Sequence, residues 1–547
     1  MIRSATRSAR FAALLLAALA CAAPALSASE AREPRSDYDR EFSRTLPFKA
    51  GQRLDIEHSQ GAIRIGTHAL PEVRIRAKIT VSSSDAAGAQ KFGEGISVTV
   101  EDTGSAIFVR TKYPEKKWSF FGSGNISYSV DYDITMPETM PLSARNRFGD
   151  VTVVGLKASS TIVSANGQLA FSDGRGRQRL ENAFGAISVS QNVGDVDVSG
   201  SNGAVTTTDV EGALSIKCRF GAVQARRTKG PVTINSSNGA ILIEETSGAG
   251  NVTGSFGRID VKGVGGNLEV QNSNGEVTVS GVSGGVKARN SFGAVELSGG
   301  GGPVEIENSN GAIRVRDVKG TATLKTSFGT VDATGIPGDA RIVADNGGVI
   351  LANLGGAVDV RGSFGKITIT QVKKGVKVVG NNSAVSVAEI GGAVSISTSF
   401  GLVEASRIGG DLTVDNSNGA VKASGIAGGA NVTTSFAGVT LFDVTGRVDV
   451  DNQNGSVDVK ALVGKGGACF PVSLKSSFGP IRIHLPEGVG VGYDVTAHTS
   501  FGKVSSQIPL TVAGSLSPDS LSGKIGDGKC ALTLENSNGS IEILKGK

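Results

Sequence analysis

Apolar and polar residues alternate along most of the chain, and turn residues interrupt the alternation about every nine positions. From Gly149 to Gly455, steps of 18 residues land on glycine at 16 of 18 positions, and a further step of nine lands on glycine in 16 of 18 units. The position two residues after the first glycine is Val, Ile or Leu in every unit. Alternation with period two predicts short strands that each bury one face. The repeat shows no 3.6-residue period, so no helix is expected in it.

Strands of this length cannot bury an apolar face alone, so the 18-residue units are expected to stack on one another. This favours an all-β parallel β-solenoid, or β-helix, in which each unit is one coil and its backbone groups bond to the coils on either side. An antiparallel meander closed as a barrel or a propeller is the alternative. The unbroken register favours the solenoid, because an insertion would break the ladders of a stack but would only lengthen a loop of a meander.

A 36-residue superrepeat is superimposed on the coils. The residue before the first glycine is alternately Phe and Asn over all 18 units, as in TSFG and NSNG. Asn-Gly is a strong turn signal, and glycine after Phe supplies the same bend. In 18-residue coils an amide would separate successive rings and relieve crowding at a narrow corner, whereas in 36-residue coils the rings would stack directly. Either arrangement predicts a structural role for these residues, represented by Phe184, Asn202, Gly203, Phe220, Asn238, Gly239, Phe292, Asn310 and Gly311.

The chain divides into four segments. Residues 1–28 combine three arginines, an apolar run and a small-residue end, which is typical of a secretory signal peptide. Residues 29–141 lack the 18-residue step but alternate as strands do, and they are expected to cap the first coil. Residues 142–465 are the regular solenoid. In residues 466–547 the spacing loosens, which predicts irregular coils and a C-terminal cap.

The signal peptide predicts export across the cytoplasmic membrane to the periplasm, the cell envelope or the exterior. Cys21, in LAALAC, leaves a lipid anchor on that cysteine as a lesser alternative. No later segment is apolar for 18 uninterrupted residues, so no transmembrane helix is expected. In an oxidising compartment Cys469 and Cys530 are a candidate disulfide that would staple the C-terminal end, with Cys218 left as a buried thiol.

Charge argues against one class of partner and points to another. Without residues 1–28 the chain carries 52 basic and 50 acidic residues, a balance that does not predict a nucleic-acid binder. Basic residues gather on nearby coils, where they would form one positive patch for an anionic glycan or a lipid headgroup. The members of this predicted basic patch are Arg175, Arg177, Arg179, Lys217, Arg219, Arg226, Arg227 and Lys229.

The sequence contains no recognisable catalytic or metal-binding constellation, so no enzyme and no cofactor are expected. None of the four histidines is spaced as a metal pair or lies beside a plausible nucleophile. The turns carry Ser, Asn and Gly where a calcium roll needs aspartate, and Trp118 is interpreted as a packing residue. Acids three residues before some turns are expected to be solvated: Glu181, Glu307, Asp415 and Asp451. A β-helix polysaccharide lyase or hydrolase is an alternative that would need carboxylates clustered in a groove.

The segments LPFKAGQRLDIEHSQGAIRIGTH and YDITMPETMPLSARNRFGDVTVVGL, together with units of the type NSNGAVxV and SFGxVxV, resemble the bacterial putative-adhesin family of unknown function. The resemblance extends from about residue 46 to the end. It implies a secreted repeat protein and supplies no catalytic residues. The expected function is a non-enzymatic cell-envelope adhesin or binding scaffold, with an envelope polysaccharide or another surface polymer as partner. A structural element that associates end to end with further copies is the alternative.

Overall fold

The computed structural model describes residues 36–114, 126–461, 468–486, 492–512 and 517–546. Residues 1–28, Cys21 and Trp118, for which the sequence made predictions, lie outside these ranges. The described residues form a parallel β-solenoid in which two sheets enclose one continuous apolar core. The predicted all-β solenoid is confirmed. A coil has 18 residues rather than 36, since each regular strand pairs in parallel with the strand one unit further along, as Ile162 does with Leu180.

Each regular coil contributes one strand to each sheet: sheet 1 holds the strand before the Phe/Asn turn, and sheet 2 holds the strand after it. The N-terminal part contains β1 (Ser36–Pro47), β2 (Arg53–His58), β3 (Ile63–His68), β4 (Glu72–Ser83), α1 (Ala86–Gly95), β5 (Ser97–Asp102), β6 (Ala106–Lys112) and β7 (Ser127–Pro137). The regular strands of sheet 1 are β8 (Leu142–Phe148), β10 (Ser160–Asn166), β12 (Gln178–Phe184), β14 (Val196–Asn202), β16 (Leu214–Phe220), β18 (Val232–Asn238), β20 (Gly250–Phe256), β22 (Leu268–Asn274), β24 (Val286–Phe292), β26 (Val304–Asn310), β28 (Ala322–Phe328), β30 (Ala340–Asn346), β32 (Val358–Phe364), β34 (Val376–Asn382), β36 (Val394–Thr398), β38 (Leu412–Asn416), β40 (Ala430–Phe436), β42 (Val448–Asn454) and β44 (Val472–Phe478). Those of sheet 2 are β9 (Val151–Val154), β11 (Leu169–Arg175), β13 (Ile187–Val193), β15 (Val205–Glu211), β17 (Val223–Thr228), β19 (Ile241–Thr246), β21 (Ile259–Val264), β23 (Val277–Val282), β25 (Val295–Gly300), β27 (Ile313–Arg316), β29 (Val331–Ile336), β31 (Val349–Leu354), β33 (Ile367–Val372), β35 (Val385–Ile390), β37 (Val403–Ile408), β39 (Val421–Ile426), β41 (Val439–Val444), β43 (Val457–Ala461) and β45 (Ile481–Pro486). The C-terminal part adds β46 (Tyr493–Thr499), β47 (Val504–Ser506), β48 (Thr511–Val512), β49 (Ser520–Ile525), β50 (Cys530–Asn538) and β51 (Ile541–Gly546).

The core consists of ladders of small branched side chains. In a typical coil Val304 and Ile306 of β26 and Ile313 and Val315 of β27 are almost completely buried. Burial of each such side chain contributes about 1.5–3 kcal/mol relative to exposure. Every second residue of a strand therefore points inward, as the alternation along the sequence predicted.

In most turn tetrapeptides the first residue is polar, faces the core and holds the turn, whereas five coils have glycine or alanine there. Asn290 is buried, and its Nδ2 donates hydrogen bonds to the carbonyl oxygens of Gly275 at 3.0 Å and of Gly293 at 3.1 Å. In the TSFG turns threonine takes this place, as when Thr326 Oγ1 donates to the carbonyl oxygen of Gly311 at 3.4 Å. Buried backbone carbonyls at the corner are thereby satisfied by side chains from within the coil.

The N-terminal part adds two coils to the stack, out of chain order. Strand β2 pairs in parallel with both β8 and β6, and β3 pairs in parallel with both β9 and β7. The coil formed by β2 and β3 therefore lies next to the first regular coil, and the coil formed by β6 and β7 lies on the far side of the β2–β3 coil. The segment predicted to be a strand-rich cap thus contains solenoid coils as well as capping strands. It also contains α1, the only helix in the described residues, which the sequence did not predict and which begins where the Asp85 side chain accepts a hydrogen bond from the N–H of Ala87.

The coils of the C-terminal part also stack out of chain order. The pair β50–β51 stacks directly on β44–β45, and β46–β47 stacks on β50–β51, although β46 and β47 come first in the sequence. The structure joins Cys469, just before β44, to Cys530, the first residue of β50, in the disulfide that the sequence analysis named as a candidate. Cys218 is a buried thiol. The disulfide therefore ties two neighbouring coils that are distant in sequence.

Antiparallel strands cover the ends of the stack. At the N-terminal end β5 pairs antiparallel with β6 in sheet 1. In sheet 2 β4 pairs antiparallel with β7, and β1 pairs antiparallel with β4. At the C-terminal end β49 pairs antiparallel with β46, and β48 with β49. A change of strand direction removes the parallel edge on which an identical coil would add, and this protects a solenoid from growth at its ends. Three of the four sheet ends therefore do not favour end-to-end association, and at the C-terminal end of sheet 2 the last described strand is the three-residue β47.

A buried polar cluster lies inside the N-terminal coils. The ring of His58 packs edge-on against Tyr132, and its Nδ1 lies 3.1 Å from Thr111 Oγ1, which in turn lies 2.6 Å from the hydroxyl of Tyr132. Burial lowers the pKa of His58 to about 4 and raises the pKa of Tyr132 to about 12. His58 is therefore neutral in the folded protein at neutral pH.

We expect the neutral state of His58 to make the protein less stable in acid. Below pH 6.5 the unfolded chain binds a proton at this histidine, while the folded chain does not until about pH 4, so stability is lost as the pH falls through this window. The difference in pKa corresponds to a loss of about 3 kcal/mol at its lower limit. Urea denaturation of the native protein and of His58→Gln at pH 7 and pH 4.5 checks this. An equal loss in both proteins would contradict it.

Candidate functional site: a phenylalanine ladder

The third residue of each turn tetrapeptide points away from the core. In β24 the buried Asn290 is followed two residues later by Phe292, whose side chain is 54% exposed. The same holds at every Phe-Gly turn, with exposures from 39% to 76%. Successive rings are two coils apart, or about 9.6 Å, along one edge of the rod. We call this column the phenylalanine ladder; it consists of Phe148, Phe184, Phe220, Phe256, Phe292, Phe328, Phe364, Phe400, Phe436, Phe478 and Phe501.

The interpretation of these rings as fillers of a narrow corner is corrected by their exposure. Strand pairing passes from Asn308–Thr326 directly to Asn310–Phe328 and skips the residue between. This break in the pleat turns the side chain outward, although its position has the same parity as the buried residues before it. Asparagine and glycine at the corner retain the structural role that was predicted, but the phenylalanines do not pack into the core.

Nine of the ten asparagines between rings, all except Asn382, donate a side-chain hydrogen bond to the backbone of the neighbouring coil. Asn310 Nδ2 donates to the carbonyl oxygen of Ser291, the residue before the ring of the neighbouring coil, at 3.3 Å. Because the amide is bonded to the neighbouring backbone, it does not extend outward between the two rings. The gap between successive rings is therefore open and polar at its base. The same bond recurs at Asn166, Asn202, Asn238, Asn274, Asn346, Asn418, Asn454 and Asn538.

The alternation of ring and amide is a property of the surface rather than of the chain. In sequence order the last three positions are Phe478, Phe501 and Asn538, which breaks the pattern. In the structure Asn538 pairs with Phe478 on one side, and the N–H of Phe501 bonds to the carbonyl oxygen of Ser537 on the other. The out-of-order C-terminal coil therefore restores ring, amide, ring in space.

Small uncharged residues flank most of the ladder. Serine precedes each of the seven rings from Phe256 to Phe478, and glycine or alanine follows each of them. Together the eleven rings expose the equivalent of about six whole phenylalanine side chains, or roughly 1200 Å². The rings are separated by asparagines, so this area is a row of apolar contacts rather than one contiguous patch. A row of exposed aromatic side chains of this length is a candidate interaction surface.

The eight residues of the predicted basic patch are divided between the two sheets. Arg179, Lys217 and Arg219 lie in sheet 1, whereas Arg226 and Arg227 lie in sheet 2. Five of the eight form ion pairs: Arg177–Asp197, Arg179–Glu181, Arg226–Glu244, Arg227–Asp209 and Lys229–Glu211. The other three are Arg175, which ends β11, and Lys217 and Arg219, which lie in β16. Because the sheets face opposite directions and most of the charges are neutralised, these residues do not form a single positive surface.

One groove contains several carboxylates, the feature that a polysaccharide lyase or hydrolase would need. A groove of about 1190 Å³ on the outer face of sheet 1 contains Glu269, Glu305 and Glu307. Glu305 lies 3.3 Å from Lys287, Glu307 lies 3.1 Å from Arg289, and both carboxylate side chains are close to half exposed. Exposed, ion-paired carboxylates lack the burial that creates a general acid.

The other predicted acids are ion-paired or exposed. Glu181 is paired with Arg179, and Asp415 and Asp451 are exposed on sheet 1. Across the described residues there is no group of three or more His, Cys, Asp or Glu side chains that could hold a metal ion. Nor does any helix in this part of the chain have the length and apolar character needed to cross a membrane.

Comparison with known proteins gives a partial similarity to a solved structure. No family model and no curated protein matches the chain. A crystal structure of a putative cell adhesion protein from Clostridium sporogenes ATCC 15579 aligns with 41% of this chain and 99% of its own, at 14% identity and a TM-score of 0.17. A TM-score this low supports no conclusion about the function of this chain.

Proposed function

We propose that the protein is a secreted, non-enzymatic scaffold of the cell envelope that adheres through the phenylalanine ladder. The observation that carries this proposal is the row of eleven exposed rings at constant spacing. Keeping a phenylalanine in water forgoes about 1.5–3 kcal/mol of burial, so eleven aligned exposed rings are expected to be covered by a partner. The rod, of roughly twenty coils at about 4.8 Å each, holds them in line over about 100 Å.

Adhesion by such a surface depends on repetition. A single aromatic contact contributes about 0.5–1.5 kcal/mol beyond its buried area, which is too little for stable attachment. Contacts linked on a rigid rod act together, so the affinity of the whole row exceeds that of each member by orders of magnitude. A flat edge with many equal contacts is suited to an extended partner rather than to a small molecule.

Two further features support this assignment. The Cys469–Cys530 disulfide is of a kind that persists in oxidising compartments, as export to the envelope requires. The antiparallel end strands oppose growth of the rod by end-to-end addition, which leaves its long surfaces for contact. The ion pairs of the basic residues remove the reason to assign binding of an anionic polymer to them.

We expect adhesion to be lost when rings in the middle of the ladder are removed. The ladder variant replaces four of them: Phe256→Ser, Phe292→Ser, Phe328→Ser and Phe364→Ser. The control variant removes four exposed apolar side chains elsewhere: Val154→Ser, Ile350→Ser, Val379→Ser and Phe442→Ser. Beads coated with each protein are assayed for attachment to surfaces that carry envelope polysaccharide or the native protein. Attachment should fall by about tenfold or more in the ladder variant alone, and equal attachment by all three proteins would contradict the proposal.

A further inference from the structure

We propose that the phenylalanine ladder binds the ladder of a second copy of the chain, with the two rods antiparallel and the rings of each inserted between the rings of the other. This inference rests on the proposed function, because it assigns a partner to the same surface. It makes the adhesion homophilic, since copies on two surfaces would hold those surfaces together.

The spacing of the rings favours a second copy as the partner. A rigid partner that contacts many rings must repeat at the same two-coil distance, or it loses register within a few rings. A second copy has the same strand separation by construction, so its rings stay in phase along the whole overlap. An unrelated rigid partner would have no reason to repeat at the two-coil distance.

The edge of the rod also has room for a partner's rings between its own. A ring placed over Asn310 would lie one coil, or about 4.8 Å, from the levels of Phe292 and Phe328, and aromatic rings prefer centroid separations of about 4.5–7 Å. The amide of Asn310 is held back against Ser291, so it leaves this position open. The serines beside the rings do not obstruct a flat approach.

The exposed area of the phenylalanine ladder is large enough for a stable dimer interface. The ladder exposes roughly 1200 Å² of phenylalanine per copy, and a standard stable interface buries about 800 Å² per partner. Burial of two thirds of the exposed ring surface is therefore sufficient for a specific dimer. No other segment of either copy is required.

Symmetry then selects the antiparallel arrangement. Two copies related by a two-fold axis along the rods would have their rings at equal heights, where they collide. A two-fold axis perpendicular to the rods reverses one ladder, and its rings fall opposite asparagines when the axis passes between two adjacent coils. Closed two-fold dimers are the commonest oligomers of soluble proteins.

One register also pairs opposite charges beside the ladder. Counted from the coil of Phe148, Glu276 lies in the eighth coil and Lys366 in the thirteenth, each directly after its corner glycine. An axis between the tenth and eleventh coils, those of Asn310 and Phe328, brings Glu276 of each copy opposite the partner's Lys366. Lys366 is exposed; the side chain of Glu276 is 41% exposed and lies 3.8 Å from Arg258 of the neighbouring coil, so in the dimer Glu276 would be shared between Arg258 and the partner's Lys366.

Sedimentation velocity on the full mature protein tests the proposal. The native protein and the control variant should be dimers at micromolar concentration, and the ladder variant should be a monomer. A monomeric native protein, or a ladder variant that dimerises as well as the native one, would overturn it. If the native protein is monomeric but only the ladder variant loses attachment to polysaccharide, the homophilic inference fails while the proposed function stands.

Charge exchange tests the register. Lys366→Glu should weaken the dimer by about tenfold, because it sets like charges opposite each other at two symmetric positions. Adding Glu276→Lys to that variant should restore the affinity of the native protein. Lys422→Glu, which changes an exposed charge on the face of sheet 2, is the matched control and should have no effect. Failure of the second substitution to rescue the first would rule out this antiparallel register.

Discussion

Replacing both Cys469 and Cys530 with serine is expected to lower the free energy of unfolding of the C-terminal coils by about 4 kcal/mol. The bond closes a loop with a sequence separation of 61, so its loss increases the conformational freedom of the unfolded chain. The folded state is also vulnerable here, because β50 must insert between β44 and β46 after both have been synthesised. Without the bond, little else in the chain order favours that insertion.

Denaturant titration combined with amide hydrogen exchange measures this effect. Exchange in β46–β51 should become faster by about three orders of magnitude in the double variant, while exchange in the central coils should not change. Cys218→Ser, at the buried free thiol, is the matched control for loss of a cysteine. Unaltered protection of β50 in the double variant would contradict the stapling role of the disulfide.

Gly311→Val is expected to destabilise the solenoid by about 3 kcal/mol or more. Gly311 has φ +156°, and a Cβ there would lie 2.1 Å from the carbonyl oxygen of Gly293 in the neighbouring coil. The contacted atom is backbone, so relief requires separation of the two coils and loss of ladder hydrogen bonds. Alanine is accepted once at the equivalent position, as Ala437 with φ 101°, so valine should cost more than alanine.

Chemical denaturation of Gly311→Val beside Ala312→Val measures the difference. Ala312 is the next residue, it is half-buried, and a larger side chain there does not meet the stacked corner, so a change below about 1 kcal/mol is expected. Similar losses in the two variants would show that the stacked corner is not the cause.

Much of the fold could be predicted because the solenoid is periodic. The 18-residue step fixes which residues meet on neighbouring strands, and the parity of the valines fixes which face is buried. The direction of the Phe and Asn side chains could not be obtained in this way, because a skipped residue at the corner reverses the parity. The buried Asn290 position carried a usable signal, since Asn, Ser or Thr is the first letter of most of the tetrapeptides.

The terminal coils were beyond sequence reasoning for a different reason. Strand patterns identify β46 and β50 but do not say which of them lies next to β44, since both match the same ladder. The candidate Cys469–Cys530 pair was the one signal of this proximity. The ion pairs of the basic residues, by contrast, were accessible: Asp209 precedes Arg227 by one 18-residue coil, and Glu244 follows Arg226 by one.

The most direct test of the central claim, that the ladder is a contact surface rather than part of the core, measures stability and attachment on the same ladder variant. The account predicts that the ladder and control variants, whose replaced side chains are all about half exposed, lose similar stability of about 1 kcal/mol per side chain, and that only the ladder variant loses attachment. A much larger loss of stability in the ladder variant than in the control variant, with attachment unchanged, would contradict it, because the rings would then be packing residues.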